Sequence, residues 1–163
     1  MFLTRRLYKI NSEELGRHLN LPFIDKLRVF VRGGRGGNGL KKYGGIGGQG
    51  GHVLVRGKQH LTLRNVYEKN LVKRYIAPDG EHSHKTRLNA LPGGNLTIHV
   101  PLGIQIVRDN GEVIDEINDL DDECIVAHGG AGGSYKTFFE GQPGESTMIN
   151  FDLKLLADVG FVV

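Results

Sequence analysis

Arg32-Gly33-Gly34-Arg35-Gly36-Gly37-Asn38-Gly39, Leu40-Lys41-Lys42-Tyr43 and Gly44-Gly45-Ile46-Gly47-Gly48-Gln49-Gly50-Gly51 form one continuous stretch whose reading decides the fold. Eleven of the nineteen residues from Gly33 to Gly51 are glycine, and Gly44 to Gly51 repeats with a period of three. The same Gly-Gly-x-Gly-Gly unit returns as Gly129-Gly130-Ala131-Gly132-Gly133. A flexible linker needs no period, and strand-like segments bracket both stretches closely. A phosphate-binding loop requires Lys-Ser or Lys-Thr after its last glycine, and none follows. Residues 34–39 spell G-x-G-x-x-G, but no amphipathic helix opens after them, as a dinucleotide site would demand. A left-handed extended helix has three residues per turn and no internal hydrogen bonds. Such helices pack side by side where the touching positions lack a Cβ. The period therefore predicts a stiff bundle, with Arg35, Ile46, Gln49 and Ala131 on its outward faces.

Outward from this stretch the texture is β. Residues 23–31, 52–55, 95–100, 104–107, 112–117, 124–128 and 147–155 read as strands, rich in Val, Ile, Leu and Phe. Asp109-Asn110-Gly111 is a hairpin signal, because Asn and Gly tolerate positive φ. Many short strands separated by turn residues point to a mainly β fold, a barrel or a sandwich. The acidic run Asp119-Leu120-Asp121-Asp122-Glu123 reads as a solvated turn, since it lacks the Gly and closing Glu of a calcium loop. Cys124 is the one cysteine. It excludes an intrachain disulfide and a thiolate metal cluster, and fits a small buried hydrophobe in a strand.

The 163 residues suffice for one ordinary domain or two small ones, and at 39% hydrophobic they can build a core. No apolar run approaches the roughly 20 residues of a membrane-spanning helix. The net charge of +3 hides an asymmetry. Residues 26–108 carry fifteen Lys/Arg against three Asp/Glu, and residues 109–163 carry two against twelve. From Lys26 to Tyr67 there are nine basic residues and no acid. An acid-free basic stretch is a footprint for a polyanion, most often nucleic acid. The competing reading is that the basic and acidic halves neutralise each other inside the fold.

Residues 1–22 are read as a separate N-terminal extension. Met1 to Lys9 is basic, apolar and free of acid, consistent with a mitochondrial transit peptide. Asn11-Ser12-Glu13-Glu14 also reads as a helix start, so a short surface helix is the alternative.

Five separated motifs then resemble one family. They are Phe23-Ile24-Asp25, the run Arg32 to Gly39, Val100-Pro101-Leu102-Gly103-Ile104, Ala127-His128-Gly129 through Gly133, and Leu153-Lys154-Leu155-Leu156-Ala157-Asp158-Val159-Gly160. In this order they resemble the N-terminal glycine-rich domain of the Obg ribosome-assembly GTPases. The short connection Lys41-Lys42-Tyr43-Gly44 looks more like a mitochondrial branch of that family than the bacterial one, whose members carry a longer basic insertion. The resemblance implies an eight-stranded β-barrel bearing a projection of six left-handed glycine-rich helices, over residues 23–155. Residues 156–163 look like the lead-in to a GTPase domain. The apolar Phe161-Val162-Val163 fits a core strand cut mid-element.

The resemblance implies binding to rRNA of an immature large ribosomal subunit near its peptidyl-transferase region, in the mitochondrial matrix, or in the nucleolus as the alternative. Ribosomal proteins are further expected partners, for which the acidic half is suited. The protein is expected to act as a monomer without a membrane span. Binding is assigned to the loop tips. The first holds Arg35, Asn38, Lys41, Lys42 and Tyr43, with lysine and arginine for phosphates and tyrosine for stacking. Packing beneath the glycine helices is the equally open alternative for Tyr43. The second holds His82, His84, Lys85 and Arg87, where relatives usually carry a Gly-Glu-Asn-Gly-like stretch. The third holds Tyr135 and Lys136, where relatives often carry an asparagine-arginine pattern. Two histidines without a third ligand make a poor metal site. No catalytic constellation, cofactor site or metal site is expected. No phosphate-binding loop, Asn-Lys-x-Asp or Asp-x-x-Gly follows Val159-Gly160, so GTP and Mg²⁺ are expected only in a longer relative.

Overall fold

The computed structural model describes residues 23–154, and the transit-peptide and GTPase lead-in readings fall outside them. The described chain is mainly β. Eight strands occur: β1 Lys26–Arg32, β2 Val53–Gly57, β3 Arg74–Ile76, β4 Leu96–Val100, β5 Ile104–Arg108, β6 Val113–Ile117, β7 Glu123–Ala127 and β8 Ser146–Leu153. One helix, α1, runs over Leu63–Lys69.

The strands form two sheets and not the closed barrel that the resemblance implies. One sheet has the order β3-β1-β8-β5-β6, the other β4-β2-β7. A barrel needs every edge paired. Here β3 is only three residues long and pairs with β1 alone, while β4 pairs with β2 alone. Both sheets contribute to one core. Alternation in β1 puts Leu27, Val29 and Val31 inside, and in the five-stranded sheet Ile104, Ile106, Ile117, Ile149 and Phe151 join them. Val53, Val55, Ile98, Val100 and Val126 enter from the three-stranded sheet. The outward residues pair across strands, as Lys26 does with Asp152 in register at 3.7 Å.

Seven of the eight strands agree with the sequence reading to within a few residues; β3, only three residues long, was not among the strands expected. The Asp109-Asn110-Gly111 turn forms between β5 and β6: Gly111 has φ 88°, and the Glu112 amide donates to Asn110 Oδ1 at 2.9 Å. The acidic run is a turn in which Asp122 Oδ2 accepts the amides of Asn118 and Asp119 at 2.9 and 2.8 Å. Those bonds hold the Asp122 carboxyl below its ordinary range. Helix α1 was not anticipated, although its signals are present. Thr62 caps it through Oγ1 to the Asn65 amide, Leu63 and Val66 are buried, and Arg64 Nε donates to Glu68 one turn on at 2.7 Å.

Six irregular segments continue six of the strands. Residues 33–39 leave β1, 45–51 lead into β2, and 78–83 follow β3. Residues 88–93 precede β4, 129–133 leave β7, and 139–145 lead into β8. Their backbone hydrogen bonds run between segments, at intervals of three residues. Gly34 and Gly37 donate to Gly51 and Gly48; Gly50 and Gly47 donate to Gly130 and Gly133; Gly130 and Gly133 donate back to Gly34 and Gly37, all at 2.8–2.9 Å. The same two triplets reach further neighbours. Gly33 and Gly36 donate to Glu145 and Gln142, while the Arg35 and Asn38 carbonyls accept from Gly80 and Ser83. Each position of the triplet thus faces a different neighbour. A Cβ on Gly132 would collide with the Gly47 carbonyl, and one on Gly47 with the Gly37 carbonyl.

Candidate nucleic-acid interface

The six segments begin at the strands and end in three connections at their far side. Residues 40–44, 84–87 and 134–138 leave from one terminal layer, in which Gly39 donates to Phe139 O, Gly47 to Gly133 O and Ser83 Oγ to Leu88 O. Ser83 is buried there, directly beneath Gly45. The three tips are therefore gathered at one end.

The first tip is a single 3-10 turn, Lys41–Tyr43, closed by Gly44 at φ 64°. Its cap position requires a positive φ, which glycine adopts without a steric penalty. Lys41, Lys42 and Tyr43 are all exposed. The second tip is a two-residue hairpin: His84 and Arg87 exchange amide-to-carbonyl bonds at 3.0 Å, leaving Lys85 and Thr86 at the apex. Lys85 Nζ lies 5.9 Å from the Tyr43 ring centre and Lys42 Nζ 5.7 Å from it. Tyr43 is 46% exposed, flanked by these two ammonium groups and not buried beneath the glycine segments. The third tip is another 3-10 turn, Tyr135–Thr137, in which the Ser134 amide donates to Thr137 Oγ1 at 3.0 Å.

The remaining site residues sit differently. Asn38 is a tie: its Oδ1 accepts the Gly141 amide at 2.9 Å and its own amide donates to His82 Nδ1 at 2.8 Å. That bond makes Nδ1 of His82 the acceptor and leaves Nε2 to carry the proton. Arg35 lies a layer below the tips, its Nε donating to Gly141 O at 3.3 Å and its amide to Asp79. Arg87 is paired with Glu81 at 3.3 Å. Among the described residues no group of three His, Cys, Asp or Glu side chains converges, around His82 and His84 or elsewhere.

Phe138 was not anticipated. It is 86% exposed, and its neighbour Tyr135 is 74% exposed. Phe138 and Phe139 both have positive φ, 55° and 63°, a conformation that costs a bulky residue about 1–3 kcal/mol. The signal available in the sequence was the adjacent aromatics Phe138-Phe139, five residues after the last glycine repeat ends at Gly133.

The charge asymmetry divides between the two parts of the molecule. Arg28 pairs with Asp109 at 2.9 Å, Arg56 with Asp121 at 4.0 Å, and Arg108 with Glu112 and Glu145; Lys154 meets Glu116. With Lys26 and Asp152, these pairs engage six of the eleven acids from Asp109 to Asp152. At the tips, Lys41, Lys42, Lys85 and Lys136 enter no ion pair among the described residues. Four free ammonium groups and three exposed aromatic rings can hold phosphates and stack unpaired bases.

Among the described residues no helix is long and apolar enough to cross a membrane. Known proteins resemble this chain over most of its length. GTP-binding protein 10 homolog of Drosophila melanogaster is 47% identical over 153 residues, covering 93% of this chain and 40% of the fly protein. GTP-binding protein 10 of Homo sapiens is 43% identical over 140 residues, 86% of this chain and 36% of the human one. GTPase Obg of Pelodictyon phaeoclathratiforme is 37% identical, covering 87% of this chain and 49% of the bacterial one. The chain thus spans less than half the length of these relatives. The family model described as GTP1/OBG matches residues 24–150, which include β1 to β7, most of β8 and all three tips, and the chain belongs to that family.

Proposed function

We propose that this chain is the rRNA-docking module of an Obg-type GTPase in assembly of the large ribosomal subunit. One observation carries the reading: four lysines without ion pairs among the described residues stand with Tyr43, Tyr135 and Phe138 at one end of a cross-bonded bundle. The three-residue bond spacing supports left-handed helices of the polyproline II type in that bundle. Its stiffness lets the tips enter an rRNA cleft without an ordering cost on binding. Similarity to proteins named GTP-binding protein 10 favours the mitochondrial matrix over the nucleolus. The module acts as a monomer near the peptidyl-transferase region.

Cosedimentation with large-subunit precursors tests this at low and high salt. Binding should fall steeply with salt and should be lost when Lys41, Lys42, Lys85 and Lys136 become alanine. Salt-independent binding, or binding indifferent to these lysines, overturns it. Loss of binding after nuclease treatment separates RNA from ribosomal proteins as the primary partner.

A second reading concerns a longer protein. Relatives named as GTPase and GTP-binding proteins extend beyond the matched region. If the native chain continues past Val163 into Gly-x-x-x-x-Gly-Lys-Ser, GTP and Mg²⁺ would bind there and hydrolysis would time release of the docked module. The downstream reading frame decides it.

A further inference from the structure

The unclosed seam between the two sheets is a cavity. Its volume is about 410 Å³, and it lies between β3 of one sheet and β4 of the other, with α1 alongside. Small-molecule sites fall in the range of about 300–1,000 Å³, mostly apolar with a few placed polar groups. Here Leu61, Val66, Ile76, Leu96 and Ile98 supply the apolar lining. Lys58, which follows β2, and Lys69, the last residue of α1, supply charge at the rim. Among the described residues no carboxylate lines the cavity. The one acid on α1, Glu68, is held by Arg64. Neither Lys58 nor Lys69 enters an ion pair among the described residues.

The field inside registers on His99 of β4. Partial burial, then the positive charges of Lys58, Lys69 and Arg56, hold its imidazole below the ordinary value. His99 is therefore a neutral hydrogen-bonding group at pH 7. Asn65 and Tyr75 add further polar atoms. An anion satisfies the two lysines, and a flat body satisfies the apolar lining, so one ligand must carry both.

We propose that this seam binds a nucleotide, its phosphate on Lys58 and Lys69 and its base against Leu61, Ile76 and Leu96. The site belongs to the body of the molecule and not to the tips. A free mononucleotide and one residue of an RNA strand present the same chemistry to it. The proposal does not depend on the tips binding RNA.

The 163-residue chain is titrated calorimetrically, at low salt, with adenosine monophosphate, a five-residue single-stranded RNA and inorganic phosphate. The NMR signals of His99 and Tyr75 report the site. Both signals should shift with the mononucleotide or the RNA, and Lys58→Glu/Lys69→Glu should weaken that binding at least about tenfold. Stronger binding of the mononucleotide identifies a free nucleotide as ligand; shifts with RNA alone identify a strand. Both lysines are exposed, so the double variant should retain its fold, and Ile76→Ser tests the base slot independently by weakening nucleotide binding more than phosphate binding. Lys41→Glu/Lys42→Glu should lose RNA at the tips and leave the His99 shift intact. No shift with either nucleotide probe overturns the site. So does inorganic phosphate binding as tightly as the mononucleotide, or a double variant that binds like the parent.

Discussion

Lys85 Nζ stands 5.9 Å from the centre of the Tyr43 ring, although the two residues belong to different tips. The contact exists because residues 33–39 and 45–51 carry Tyr43 to the same terminal layer from which residues 84–87 leave. A cation over an exposed ring is worth only about 0.5–1 kcal/mol, so the pair is weak as a fold stabiliser. Its consequence is placement: a positive charge and a stacking face are offered together at the far end of the cross-bonded segments.

Removing the tip charge should alter RNA binding without altering stability. Changing Lys41, Lys42, Lys85 and Lys136 together to alanine should lessen the slope of log affinity against log salt by roughly 3 for a single-stranded site. The melting temperature should stay within a degree or two of the parent, because none of the four enters an ion pair among the described residues. A filter-binding titration at several salt concentrations, beside a thermal melt, checks both parts.

Glycines should divide sharply by position. Gly132→Val places a side chain against the Gly47 carbonyl and should destabilise by at least about 3 kcal/mol, or prevent folding of the bundle. At Gly94 nothing lies near a Cβ and φ is not positive, so Gly94→Ala should change stability by less than about 1 kcal/mol. Chemical denaturation of the two variants compares them directly. A Gly132→Val protein as stable as the parent would refute the packing account.

Cys124 should be unreactive in the native protein. It is buried in β7, and burial, followed by the nearby Asp115 charge, pushes its thiol up to about 11. At pH 8 an alkylating reagent should leave it unmodified until denaturant is added. The folded value lies above the ordinary 9.0. The associated stability is therefore complete below pH 9 and is lost as pH rises from 9 toward 11. Denaturation of the parent and Cys124→Ala at pH 8 and pH 11 measures this: the alkaline loss should be smaller in the variant.

Asp122 should act in the opposite direction. Its carboxyl is lowered by the amides of Asp119 and Asn118, so it favours the folded state above its ordinary value of 3.8. That contribution disappears as pH falls through the lower folded value. Asp122→Ala should melt below the parent at pH 7, and the gap should narrow as pH is taken below 3.8.

Seven strands were legible because alternation is a local signal, as in Leu27, Val29 and Val31 of β1, whereas the three residues of β3 are too few to show it. Helix α1 was missed because seven residues with two buried side chains make a brief pattern, and its neighbourhood reads as polar. Tyr43 and Lys41 were readable as tip residues from their place between two glycine runs. The tying role of Asn38 was not, since its partner Gly141 lies in another segment far along the chain. Phe138 was overlooked because an isolated aromatic pair ordinarily signals burial.

By itself, the order of residues determined the triplet of glycines, the β texture and the separation of basic from acidic halves. These are properties of neighbours along the chain, where a missing Cβ or an alternating side chain acts within a few bonds. Tertiary structure alone decided which segment bonds to which, which lysines lack a carboxylate partner among the described residues, and that β3 and β4 face each other across an open seam. Those outcomes depend on the path of the chain between distant residues, and no local pattern specifies the path.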